Sequence, residues 1–167
     1  MAIFDCFQYF NEDHIADLRF NILNDHVSYF VIVESTVNHQ GKSKKLNFDI
    51  GKFKKFKNKI RYIVVDDTPE KIKKPHAGGE SLVEQHQRNS LLRGLADAHD
   101  DDLVILSDVD EIPDLSQLKL FDKKNYAVFV QKMFMYKLNL LNLDENNWHG
   151  SKAVSYTHLT LPTILLV

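Results

Sequence analysis

At 167 residues the chain is one domain's worth of sequence, since domains commonly run about 100 to 150 residues. Its 44% hydrophobic and 26% charged residues exclude a disordered polymer and predict a packed core. A net charge of −2, from 21 basic and 23 acidic residues, removes the excess that would argue for nucleic acid or an anionic membrane as partner. One cysteine, Cys6, rules out an intrachain disulfide and reads as a buried, inert thiol. The start of the chain has no basic segment followed by a long apolar stretch, and no run of about 18 apolar residues occurs. A cytoplasmic chain without a membrane span is expected.

The first apolar run, Ile3 to Phe10, is β-branched and aromatic and predicts a strand. Asn11-Glu12-Asp13 is a helix start, and Ile15, Leu18 and Ile22 recur at helical spacing behind it. Ser28 to Glu34 holds the nearly continuous apolar stretch Phe30-Val31-Ile32-Val33, as expected of a parallel strand covered on both faces. From Gly51 to Lys59, Phe53 and Phe56 stand three apart among lysines, a short amphipathic helix with a solvated basic face. It leads into the strand Arg61-Tyr62-Ile63-Val64-Val65. Thr68 to Gly79, with two prolines and paired glycines, reads as loop.

Ser81-Leu82-Val83-Glu84 matches a capping box, and Leu91, Leu92 and Leu95 extend an apolar face, so a helix from Ser81 to about Ala98 is predicted. Leu103-Val104-Ile105-Leu106 is another buried-type strand, running into Ser107-Asp108-Val109-Asp110-Glu111-Ile112-Pro113. Tyr126 to Tyr136 reads as one or two further strands whose aromatics belong to the core. Alternating strands and helices build a three-layer α/β/α sandwich on a mainly parallel sheet, by the right-handed crossover rule.

In such a sheet the strand C-termini share one edge, where ligands bind. Acidic residues recur there: Glu34 after the second strand, Asp66-Asp67 after the third, Asp108 and Asp110 after the fourth, with Asn11-Glu12 behind the first. Converging carboxylates repel one another, and a divalent cation relieves the repulsion. Oxygen-rich sites suit Mg²⁺ or Mn²⁺, which keep positions open for phosphate oxygens and water. In an extended turn the Asp-x-Asp spacing sends both carboxylates to one side. Arg88, on the preceding helix, suits a diphosphate or a ribose-binding carboxylate. Two other readings stand beside this one. In the first, Asp-x-Asp belongs to a Mg²⁺-dependent phosphohydrolase of the haloacid dehalogenase type, although that class carries its nucleophile after the first strand. In the second, the acids only cap helices and solvate the loops of a non-catalytic scaffold domain.

Phe30 to Ser35, His39-Gln40-Gly41-Lys42, Tyr62 to Asp67, Gln87-Arg88-Asn89 and above all Ser107 to Pro113 together resemble glycosyltransferase family 17, the β-1,4-mannosyl-glycoprotein 4-β-N-acetylglucosaminyltransferase family. The resemblance runs in register from Phe7 to about Ser151. It implies a GT-A-like (Rossmann-like) nucleotide-sugar fold, a UDP-GlcNAc donor, a glycan acceptor, a divalent metal (Mn or Mg) and transfer with inversion. Carried over to this sequence, it makes Asp108 and Asp110 metal ligands, and Glu34, Asp66, Arg88, Asn89 and Asp108 nucleotide-sugar contacts. It assigns no catalytic base. Eukaryotic members carry a membrane anchor ahead of this domain.

From Ala153 the composition changes: apart from His158, no titratable charge follows to Val167, and Val154 to Ile164 reads like translated adapter sequence. A glycosyltransferase domain over residues 1–152, incomplete at its C-terminus, with a non-native tail over 153–167, is the expectation.

Overall fold

The computed structural model describes residues 1–73, 81–121, 125–137, 139–144 and 147–159. Six strands form a single sheet: β1 (Ile3–Gln8), β2 (Tyr29–Ser35), β3 (Ile60–Val65), β4 (Leu103–Leu106), β5 (Tyr126–Val128) and β6 (Lys152–Ser155), in the order β3-β2-β1-β4-β6-β5. The first four are parallel, and β6 runs antiparallel to both β4 and β5. The predicted α/β sandwich with a mainly parallel sheet is therefore the fold.

The central strands are largely apolar because they are covered on both faces, with Asp5 of β1 and Glu34 of β2 as buried charged exceptions. Period-two alternation divides the strands' side chains between two cores. Phe7, Phe30, Ile32 and Ile105 pack with helix α1 (Asp13–Leu23) and with Phe48, Phe53 and Phe56. Cys6, Val31, Val33, Val104 and Leu106 pack on the opposite face with Leu91 and Leu95. Cys6 is fully buried, and desolvation raises its thiol pKa, which suits an inert core residue. Ala153 and Val154 lie within the sheet, both buried, where β6 fills the space between β4 and β5.

Four elements depart from expectation. On α1 the apolar spacing of Leu18 and Ile22 points outward, and both are exposed; the buried face is Ala16, Arg19, Phe20 and Leu23. The segment Gly51 to Lys59 is not an α-helix but a 3₁₀ stretch, Ile50–Phe56, broken at Phe53. The kink lets Phe53 and Phe56 both reach the ring of Phe20, at centroid distances of 5.1 and 5.4 Å. Their lysine neighbours Lys52, Lys54, Lys55 and Lys57 are exposed, as predicted.

Helix α2 (Leu82–Asn89) starts as its capping sequence requires, with Ser81 Oγ accepting from the Glu84 amide at 3.2 Å. It does not run to Ala98. A 3₁₀ stretch, Ser90–Leu95, replaces its second half and packs tightly on β2: a Cβ at Gly94 would stand 2.4 Å from Val31 Cγ1. Beyond β5 the Tyr126 to Tyr136 run leaves the sheet, keeping only isolated bridges such as Gln131 to Trp148. Of the predicted loop before α2, residues 74–80 lie outside the described residues, as do 160–167 of the C-terminal run.

Candidate active site

The sheet order reverses between β1 and β4: β2 and β3 extend to one side, β6 and β5 to the other. Crossovers from these two neighbouring strands leave in opposite directions, opening a crevice at their C-terminal ends. A cavity of about 370 Å³ occupies that place. Gln8 at the end of β1 lines it with Tyr9 and Phe10, Asn38 and His39 come from the loop after β2, Glu84 and Gln87 from α2, and Asp108 to Asp110 from the turn after β4.

The acidic turn is closed by its own backbone, with the Glu111 amide donating to Asp108 O at 3.1 Å and the Ile112 amide to Asp110 O at 3.1 Å. Below it lies Arg19, fully buried on α1. Its guanidinium forks onto Asp5 at 2.6 and 2.7 Å, then reaches the carbonyls of Asp108, Val109 and Glu111 at 2.9, 3.2 and 3.1 Å and Ser107 Oγ at 2.5 Å. A buried charge is tolerated only with such complete pairing. The energy of desolvating Arg19 is thus offset by contacts that hold the turn in one shape.

On the opposite side the turn is stitched to the chain before β6. Trp148 Nε1 donates to Glu111 Oε1 at 2.5 Å and Ser151 Oγ to Glu111 O at 2.7 Å. Glu111 Oε2 accepts from the Asp108 amide at 3.0 Å. Gly150 allows this approach, since a Cβ there would stand 2.5 Å from both the Glu111 carboxylate and Trp148 Nε1.

Of the residues singled out by sequence, Asp108 and Asp110 line the crevice together, with exposed side chains. Arg88 stands beside them, its Nη2 donating to Asp108 Oδ1 at 3.3 Å and to Glu84 Oε1 at 3.2 Å. Although the Asp108 side chain is half-exposed, loss of surrounding water is the main force raising its carboxyl pKa. Arg88 opposes the shift, while Glu111, Asp110 and Glu84 add to it. Asn89 follows Arg88 on the helix, and its Oδ1 is buried without a hydrogen-bond partner.

Glu34 and Asp66 are not brought to this crevice. Period-two alternation sends Glu34 to the same face as Phe30 and Ile32, where it is fully buried. There it accepts from Lys44 Nζ, from the amides of Asn47 and Phe48 at 2.8 and 3.0 Å, and from Tyr62 Oη at 2.8 Å. It fastens the 44–48 segment to the sheet instead of facing a ligand. Asp66 is exposed at the end of β3, the outer strand, two places from β1 and so about 10 Å away at ordinary strand spacing. Its neighbour Asp67 pairs with Arg93 at 2.6 Å and His86 at 3.2 Å. The rim is therefore narrower than a strand-by-strand recurrence of acids implies. Among the described residues, no three His, Cys, Asp or Glu side chains gather to hold a metal ion by themselves.

Sequence reasoning passed over Arg19 and Gln8. The signal for Arg19 was present: a lone Asp in the apolar run Ile3 to Phe7, and a lone Arg on the helix face that carries Ala16, Phe20 and Leu23, are two opposite charges at buried positions of adjacent elements. Gln8 ends β1, and its Oε1 is buried at the crevice without a hydrogen-bond partner. Orphaned acceptors of this kind are rare and call for an explanation. No described helix is long and apolar enough to cross a membrane. No curated protein matches the chain significantly. The glycosyltransferase family 17 model matches residues 1–162, through the switch-point crevice and the acidic turn and past the change of composition at Ala153, and the chain belongs to that family of glycosyltransferases.

Proposed function

We propose that the crevice between β1 and β4 holds a UDP-sugar, UDP-GlcNAc by the resemblance, and that Asp108 and Asp110 hold the divalent cation that accompanies its diphosphate. The observation that carries the reading is the placement of both carboxylates at the switch point of the sheet, on the wall of a cavity large enough for a nucleotide. The donor set suits Mg²⁺ or Mn²⁺, which take one or two carboxylates and leave room for phosphate oxygens. When bound, such an ion neutralises charge on the departing UDP. Arg88 lies where it adds a second positive charge, and the orphaned Gln8 Oε1 offers an acceptor for a donor group of the nucleotide or sugar.

The reaction is transfer to a glycan acceptor with inversion at the anomeric carbon. An acceptor hydroxyl loses its proton to a base as its oxygen bonds to that carbon, and the bond to the diphosphate breaks with its electron pair leaving on UDP. Isothermal titration with UDP checks the donor half. Mn²⁺ is expected to tighten binding by about tenfold or more, and Asp110→Asn to abolish the increment. Equal affinity with and without the metal, or an unchanged increment in Asp110→Asn, would overturn the reading.

A further inference from the structure

Asp110 belongs to two cavities. Besides the nucleotide crevice it lines a second cleft of about 580 Å³, within the range of about 300 to 1,000 Å³ common for small-ligand sites. Asp110, Asp114 and Gln117 form its polar wall, and Phe129 and Phe134 belong to its apolar wall. Of these aromatics, expected in the core, Phe129 is partly buried and packs against it, whereas Phe134 is 45% exposed and Val130, also in the wall, 61%, where the chain has left the sheet after Val128.

The cleft is built on a fastened framework. Gln131, also in its wall, donates from Nε2 to Ile112 O at 2.9 Å and accepts the Ser151 amide on Oε1 at 3.1 Å, while its backbone exchanges two 2.8 Å hydrogen bonds with Trp148. Asp114 is held through Oδ1 by the amide and hydroxyl of Ser116 at 3.0 and 2.7 Å. Among the described lining residues, two carboxylates stand against the ammonium of Lys132, so these walls are net negative. That charge disfavours a second phosphate-bearing ligand.

We infer that this cleft is the acceptor subsite and that it takes a neutral pyranoside. A pyranose has a C–H face for the rings of Phe129 and Phe134 and a rim of hydroxyls for Asp110, Asp114 and Gln117. The shared Asp110 places such a sugar directly beside the donor crevice, the arrangement that transfer between two sugars needs. The inference rests on the donor reading above, and its test separates the two.

Saturation-transfer NMR is run on the full chain with the methyl glycosides of glucose, mannose, galactose and N-acetylglucosamine, while UDP with Mn²⁺ is titrated on the same sample. At least one glycoside is expected to receive saturation through its ring protons, and Phe134→Ala and Asp114→Asn each to weaken that binding about tenfold with UDP affinity unchanged. The UDP titration also shows that each variant is folded. No transfer to any glycoside, or transfer indifferent to both substitutions, overturns the acceptor assignment; normal UDP binding beside it leaves the donor crevice standing. Failure of UDP to bind, with Phe134-dependent saccharide binding retained, removes the donor reading and keeps this cleft.

Discussion

Arg19 shows how one buried side chain sets the geometry of several exposed ones. Its six hydrogen bonds tie α1, β1 and the acidic turn together, so Asp108 and Asp110 project from a backbone with little freedom to relax. Lysine keeps the charge but has three donors and no planar fork, and it cannot serve Asp5 and three carbonyls at once. Leaving Asp5 and those carbonyls poorly paired in the core costs about 3–5 kcal/mol. Arg19→Lys should therefore lower the midpoint of thermal unfolding by at least 6 °C, at about 2–4 °C per kcal/mol for a chain of this length. It should also weaken UDP binding in the presence of Mn²⁺ by about tenfold at a temperature where the variant is folded. Calorimetry and titration read the two effects separately, and normal UDP affinity in a destabilised variant would show that the turn keeps its shape without Arg19.

Glu34 belongs to a different scale, because from β2 it joins two other parts of the chain, the 44–48 segment and β3. Hydrogen bonds to a buried charge are worth about 1.5–3 kcal/mol each, and an amide in its place turns an acceptor into a donor facing backbone N–H groups. Glu34→Gln should lower the unfolding midpoint by about 5 °C or more while leaving UDP affinity unaltered well below that midpoint. Thermal melting beside UDP titration checks this; a variant that melts normally but binds UDP poorly would return Glu34 to the ligand. Strand elements were legible in the sequence because continuous apolar runs such as Phe30 to Val33 and Leu103 to Leu106 follow from burial on both faces. Helices were less so. The 3₁₀ stretch after α2 packs Gly94 against Val31, and the kinked segment packs Phe53 on the ring of Phe20, contacts between residues far apart in the chain that local spacing does not record.

At the scale of the whole molecule, the acidic residues divide by how the fold shifts their ionisation. Asp13 is lowered by its hydrogen bonds to Lys52 and Tyr9, Asp67 by Arg93 and His86, and Asp97 by Arg61. Groups whose folded pKa lies below the unfolded 3.8 add stability that is present above that value and lost as pH falls through the folded one. Asp108, raised mainly by burial, acts in the opposite sense, its charged form being less favourable in the folded chain. Acid denaturation should therefore be steepest below pH 3.8, where the lowered groups take up protons. Urea midpoints measured from pH 7 to pH 2 should show it, with the acid-linked loss smaller in Asp13→Asn than in the parent. An unchanged pH profile in that variant would remove the Lys52 and Tyr9 contacts from the account.

The sequence by itself determined the α/β class, the buried strands and the acidic turn after β4, because periodicity and composition are local records of burial. Its family resemblance was legible for the same reason, being carried by short motifs at strand ends. Only the tertiary structure decided which of those strand ends share a crevice. Strand order is a matter of pairing between distant segments: it puts β1 beside β4, leaves Asp66 on the outer strand, and turns Glu34 inward beneath Tyr62. Equally, lone opposite charges at buried positions signal the pairing of Arg19 with Asp5, but no run of neighbouring residues announces that the pair lies beneath a turn almost 90 positions further on. Charge in a folded chain is read by what surrounds it, and the surroundings exist only once the sheet is assembled.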